Sequence, residues 1–302
     1  MDVLLVQNLM NWLVLGSIYA LVALGFSLLF GVLNVIHFSH GDVAIVAPFV
    51  TLAMVQALAA SAGTAGALVL ASALAIVVVG LIGVLADWLV IRRFRSAPAM
   101  MALVATVALG TVIRELIRMV YPQGSNPKPF PRLIEARIML GELPVPLFSL
   151  FVIAVSVAMM AALFALMRHS PLGMRITAVA EDRATARLMA IRPGRIFAAT
   201  FFIASAVGAI GGLFFASYAG VVRFDFGIQL GLIGFSAAVV GGLGSMQGAI
   251  LGSLLIAGID TLVQATMAEG ASYRLVFAFL LVILVLVLKP SGLLGRPVVE
   301  KV

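Results

Sequence analysis

The chain has 302 residues, of which 63% are hydrophobic and 10% charged, and its mean hydropathy is +1.22. That much apolar surface exceeds what a water-soluble interior can hold, which excludes soluble enzymes and nucleic-acid modules; the net charge of +7 then points to basic loops beside a membrane. The sequence contains no cysteine, so disulfides, thiol catalysis and cysteine-ligated metals are excluded too.

One bilayer crossing takes about 20 apolar residues, so roughly 190 hydrophobic residues allow eight or nine helical spans. The apolar stretches run unbroken through Leu, Val and Ala instead of alternating, which argues against a β-barrel. The expected fold is an all-α integral membrane protein: one polytopic helical bundle over residues 1–302, with about eight or nine membrane segments. In chain order the stretches are 9–33, 43–60, 65–90, 100–120, 145–167, 196–218, 228–240, 249–267 and 275–288. The first opens without a basic leader region and reads as a retained span. The stretches 43–60 and 228–240 are candidates for half-spans or re-entrant segments.

Basic residues gather in three places. Arg92, Arg93 and Arg95 follow the third stretch; Arg168, Arg175, Arg183, Arg187, Arg192 and Arg195 lie between the fifth and sixth; Lys289, Arg296 and Lys301 follow the last. If nine segments cross, all three clusters share one face, predicted to be cytoplasmic together with the C-terminus and the 168–195 loop. The 122–146 connection then lies outside. Its prolines, Pro122, Pro127, Pro129, Pro131, Pro144 and Pro146, predict a stiff extended loop, either a contact for an external partner or a plain linker.

Between the first two stretches Asn34, His37, Ser39, His40, Gly41 and Asp42 form a polar cluster, with Pro48 close behind. Such a cluster is expected of a broken helix near residues 34–48 that lines a polar path, or of a short aqueous turn with Asp42 opening the next helix. No metal site is assigned to His37, His40 and Asp42, since nothing around them supports one. On the fourth stretch Glu115 and Arg118 stand at i, i+3 beside Arg114, as a pair whose long side chains reach the interface. Asp260 stands in the eighth stretch with no partner that the sequence names.

Glycines recur at helix-packing spacing in the last third: Gly208/Gly212, Gly227/Gly231 and Gly244/Gly248/Gly252, with Gly241 and Gly242 adjoining. The 178–191 segment predicts one short helix. Glu181 and Asp182 suit its first turn, Arg183 and Arg187 share a face, Ala184, Leu188 and Ile191 form an apolar ridge, and Pro193-Gly194 stops it. A helix of this kind is suited to dock in a groove on another protein; an interfacial helix is disfavoured by its acidic start.

These residues resemble a family. The 178–191 segment followed by Ala199-Thr-Phe201 resembles the coupling loop of branched-chain amino-acid ABC permeases of the LivH type. Gly31-Val-Leu-Asn-Val-Ile-His-Phe-Ser-His-Gly-Asp42 is similar to the family's N-terminal motif, Val239-Val-Gly-Gly-Leu-Gly-Ser-Met-Gln-Gly-Ala249 to its glycine-rich motif, and Lys289-Pro-Ser-Gly-Leu-Leu-Gly295 to its ending. His37, Ser39 and Asp42 stand where the family commonly has Asn, Ala and Glu, and Ala190 where it often has glycine.

The resemblance implies a single permease domain in a bacterial-type inner membrane, working with a second related permease, two cytoplasmic ATPases and an external binding protein. The implied substrates are branched-chain amino acids, with urea or short amides as alternatives. Asn34, His37, Ser39, His40, Gly41 and Asp42 would line or support the pathway, and Glu181, Asp182, Arg183, Ala184, Arg187, Leu188, Ala190 and Ile191 would form the coupling helix. Gly241, Gly242, Gly244, Gly248 and Gly252 would serve packing. No cofactor is expected in this chain: ATP and Mg would bind the partner ATPases, because Lys128, Lys289 and Lys301 follow Pro127, Leu288 and Glu300 and so none completes a P-loop. A self-contained proton-coupled transporter using His37, His40, Asp42 or Asp260 is the competing reading, and no set of catalytic groups suggests an enzyme.

Overall fold

The computed structural model describes residues 3–95, 97–134, 136–140, 143–267 and 269–295. Arg296 and Lys301 of the third basic cluster, and the first two residues, lie outside these. The helices are α1 (Val3–Leu33), α2 (His40–Ala86), α3 (Arg92–Phe94), α4 (Ala99–Val120), α5 (Leu147–His169), α6 (Pro171–Glu181), α7 (Arg183–Leu188), α8 (Pro193–Ala219), α9 (Phe226–Gly241), α10 (Met246–Thr266) and α11 (Gly270–Leu288). A single π-helical turn, Asp87–Ile91, joins α2 to α3. Short strands β1 (Lys128–Pro129), β2 (Arg137–Leu140), β3 (Leu143–Pro146) and β4 (Val221–Val222) complete the chain. Among the described residues seven stretches are long and apolar enough to span a bilayer, and Phe226–Gly241 and Ser272–Leu288 are shorter apolar helices.

The second and third apolar stretches belong to one helical element of 47 residues. Straight, it would measure about 70 Å, more than twice a bilayer core. It is not straight. Ala44 packs against Gly208 and Gly212 of α8, while Gly83 packs against Ser205 and Phe201 of the same helix. Two positions 39 residues apart therefore meet one short length of α8, so α2 folds back into two arms, 40–58 and 66–86, side by side.

The core is built around α1, whose apolar window is 89% buried against 17% for α5 and 22% for α4. α1 packs on α8, α9 and α10 through one continuous cluster that includes Ile18, Leu21, Phe201, Leu230 and Ile256. Burial on all sides explains why its sequence shows no polar stripe. Trp12 also donates its indole N–H to the Leu254 carbonyl of α10 at 2.7 Å.

Chain ends and turns sort onto two faces. On one, Gly31 at the end of α1 approaches Gly244, and the amides of Leu293 and Leu294 bond the carbonyls of Val240 and Gly241 at 2.9 and 2.8 Å. Arg95, Arg183 and Lys289 lie on this basic face. On the other face the Pro-rich loop is strapped to the end of α8. β1 pairs antiparallel with β4, the Phe130 amide bonds Gly220 O at 3.1 Å, and the Leu133 amide bonds Ser217 Oγ at 3.0 Å. The loop opens on turns at 121–126 rather than being extended throughout as its prolines predict, then runs through β1, and a β2–β3 hairpin closes it.

The glycines do two jobs. Gly241 meets Gly248 backbone to backbone, Gly252 fits under Ala237 O, and Gly212 fits under Ala44 O. Gly242 and Gly244 are not helix-packing residues: at φ +107 and +83 they form the turn from α9 to α10, which a Cβ would strain.

Candidate transport site and coupling face

α1 stops at Asn34, whose φ of 57 is left-handed, a conformation that Asn tolerates better than most residues. Residues 34–39 are irregular, and α2 begins at His40 with Ser39 as its N-cap residue. The start of α2 is deep in the bundle. The His40 ring fills the space left by Gly25 of α1 and Gly208 of α8 and meets Phe26 edge-on, with centroids 4.9 Å apart. A broken helix whose second half starts deep inside the bundle is therefore present, and the 43–60 stretch lies in the arm that continues it.

The polar residues of the break are packed rather than open. His37, Ser39, His40 and Asp42 are all at most 3% exposed. Ser39 Oγ lies 3.1 Å from His37 Nε2, His37 packs edge-on to Phe201, and the Phe38 amide donates to Thr106 Oγ1 of α4 at 3.2 Å. Of the cluster only Asn34 is exposed. The hollow that reaches His37 is small, about 20 Å³, and is shared with Arg95 and Thr106. Gly41 lies against the backbone of Gly227 and Gly231, so α2 and α9 touch without intervening side chains.

Asp42 accepts a bond from Arg114 Nη1 of α4 at 2.7 Å, an ion pair with 5% and 17% of the two side chains exposed. The carboxylate also lies in the first turn of its own helix and beside Gly227 at the start of α9, so two helix N-termini add positive potential. Glu115 and Arg118 form the expected i, i+3 pair, exposed, at 2.6 Å. The sequence alone names no role for Arg114 and no partner for Asp260. Asp260 is held by Tyr19 Oη at 2.6 Å and by Gln264 Nε2 at 2.6 Å, which ties α10 to α1. The rule that an intramembrane charge needs a partner was the one available signal.

Beside the break, the two arms of α2 and α4 enclose a groove of about 1020 Å³. Its walls are apolar, including Val50, Leu89, Val112 and Leu116, and its polar groups, Gln56, Tyr121, Gln123 and Lys128, gather toward the face opposite the basic one.

The basic face departs from the single helix expected at 178–191. The chain breaks at Asp182, which is extended and caps α7 by accepting from the Ala184 amide at 2.8 Å and from the Thr185 hydroxyl. Glu181 accordingly ends α6 rather than opening a helix. α7 stops because Ala190 takes a φ of 60, and Pro193 and Gly194 do not stop it: they begin α8, with Pro193 in the first turn where its missing N–H costs nothing. Ala190 thus occupies the left-handed position for which glycine is suited.

Arg183 and Arg187 part company. Arg187 is exposed, whereas Arg183 turns inward, donating to Leu33 O at 3.1 Å and lying 5.1 Å from the Phe197 ring. Burial and the neighbouring Arg95 lower its pKa from the ordinary guanidinium value. The apolar ridge is partly as expected: Leu188 is 86% and Met189 73% exposed, Ala184 is exposed, and Ile191 is half-buried against the core. Next to this tip Arg92, Arg187, Arg192 and Arg195 rim an open hollow of about 750 Å³.

Residues 8–286 match the family described as the permease component of the branched-chain amino acid transport system. The chain belongs to that family. It is 31% identical over 303 residues to the high-affinity branched-chain amino acid transport system permease protein LivH of Escherichia coli K12, covering 98% of this chain and 97% of that one. LivH of Salmonella typhimurium is 30% identical over 311 residues, covering 98% and 97%. BraD of Pseudomonas aeruginosa, a permease protein of the same description, is 31% identical over 303 residues, again covering 98% and 97%. As a permease of this family the chain is a multi-pass membrane protein whose business is transport.

Proposed function

We propose that the chain is the membrane-spanning subunit of an ATP-driven importer for branched-chain amino acids. An external binding protein delivers the solute to the face bearing the Pro-rich loop. The basic face is cytoplasmic by the positive-inside rule, and two ATPase subunits bind there around α7. A second related permease completes the pore. ATP-driven closure of the ATPases moves α7, and the permease pair rocks between outward and inward openings.

The observation that carries this reading is the α7 tip. Leu188 at the end of a short, capped helix and Met189 just after it stand bare outside the membrane-spanning helices, with arginines around them. Exposed apolar side chains rimmed by charge mark a protein contact. The break at 34–39 supplies the irregular backbone that transporters place beside their path, and its buried residues His37, Ser39, His40 and Asp42 support the path from behind.

The test is uptake of labelled leucine in cells lacking the chain and in cells to which it is restored, with unlabelled amino acids, urea and amides as competitors. Restored uptake competed by aliphatic amino acids supports the proposal. Restored uptake of a different solute keeps the transporter class and moves the substrate.

A further inference from the structure

α7 is six residues long and buries one side chain, Ala186. So small a helix has little packing with which to pass a force inward. Arg183 supplies the connection. Its Nη2 donates to Leu33 O at 3.1 Å and lies 3.5 Å from Val32 O. These are the last carbonyls of α1, groups that a helix leaves without internal partners and where its dipole favours a cation. The next residue, Asn34, is the first of the break.

The same guanidinium shares an aromatic ring with a second one. Arg183 lies 5.1 Å and Arg95 3.7 Å from the Phe197 ring centre. Arg95 is paired with the buried Asp87, which opens the π-helical turn at the end of the second arm of α2. π-helical turns recur where helices must yield for function. Phe197 sits in the first turns of α8, one turn before Phe201, on which His37 of the break packs edge-on. From α7, then, one contact path runs through Arg183 to the end of α1 and the break. Another runs through Phe197 and Arg95 to the π turn.

We propose that Arg183 is the positioning residue through which movement of α7 reaches the broken helix, while Arg187 and Leu188 belong to the docking surface. The inference rests on the reading of α7 as the helix that the ATPases move. Arg183 touches no solute on this account; it fixes where the end of α1 stands for each position of α7. Lysine can reach the same carbonyls but lacks the planar face that lies over Phe197.

The experiment uses the full assembly in proteoliposomes, with binding protein and labelled leucine, and reads retention of the ATPase subunits, ATP hydrolysis and leucine taken up per ATP. Arg183→Gln should keep its ATPases and hydrolyse ATP, with uptake per ATP down roughly ten- to a hundredfold, the scale of one charge-assisted hydrogen bond. Arg183→Lys should recover part of the loss. Phe197→Leu, which leaves the sequence of α7 unaltered, should also lower uptake per ATP. Leu188→Glu should instead shed the ATPases. Uptake per ATP within about twofold of the unaltered protein in both Arg183→Gln and Phe197→Leu overturns the relay; so does loss of the ATPases from Arg183→Gln. Leu188→Glu that holds its ATPases and transports normally refutes the docking reading itself, whatever Arg183 does.

Discussion

Neutralising one member of the Asp42–Arg114 pair strands a charge inside the bundle. The bonded atoms are 2.7 Å apart and the two side chains are 5% and 17% exposed, so water screens them poorly. Charge centres about 4 Å apart attract by about 4 kcal/mol at an effective dielectric of 20, and breaking a buried pair typically costs about 3–5 kcal/mol. The two halves are not equivalent. A stranded carboxyl can take up a proton, whereas a stranded guanidinium cannot lose one. Asp42→Asn is therefore expected to cost about 3–5 kcal/mol and Arg114→Gln about 1–3 kcal/mol. Combined, they leave no net charge, and the double variant should be more stable than the sum of the singles implies by about 2–3 kcal/mol. Equilibrium unfolding in detergent, followed by circular dichroism and by labelling of a single introduced cysteine in this cysteine-free chain, measures all three. Additivity within about 0.5 kcal/mol would mean that the pair does not hold α2 to α4 and would refute the reasoning.

Ala190→Gly should raise stability by about 0.5–1 kcal/mol, because relief of the left-handed strain at φ 60 exceeds the added freedom of glycine in the unfolded chain; a lowered melting temperature contradicts this. Tyr19→Phe removes the hydroxyl that donates to the buried Asp260 and should cost about 1–3 kcal/mol in the same unfolding assay, whereas no change would mean that another donor replaces it. Gly41→Ala places a methyl group against the backbone of Gly227 and Gly231 and should cost at least about 1–3 kcal/mol. Gly194→Ala, with no neighbour within 4 Å of the added carbon, should be neutral or stabilising by up to about 1 kcal/mol, and equal losses at both glycines would discard the contact argument.

What the sequence discloses here depends on how local the cause is. The helices follow from composition alone, and the break at 34–39 from polar residues beside a glycine where lipid would otherwise require helix. The two arms of α2 follow from two separate apolar stretches, 43–60 and 65–90. Proline at 193 is ambiguous on its own, since a proline both follows helices and starts them; only the left-handed Ala190 decides it. Arg114 finds Asp42 across 72 positions, and Tyr19 finds Asp260 across 241, and no periodicity links such pairs. Helical spacing puts Arg183 on one face with Arg187 because it ignores the carbonyls that α1 leaves open at Leu33.

The backbone-to-backbone joints at Gly41 with Gly227 and Gly231, and at Gly241 with Gly248, set a limit on drift. Where two side chains meet, one can grow while its neighbour shrinks, and a lineage can wander through the pair. Here neither partner has anything left to give up. With 31% identity to LivH, about two thirds of aligned positions differ, yet a change at these joints has no compensating change available next door. A substitution there can be absorbed only by moving whole helices, which carries the break at 34–39 and the turn into α10 along with it.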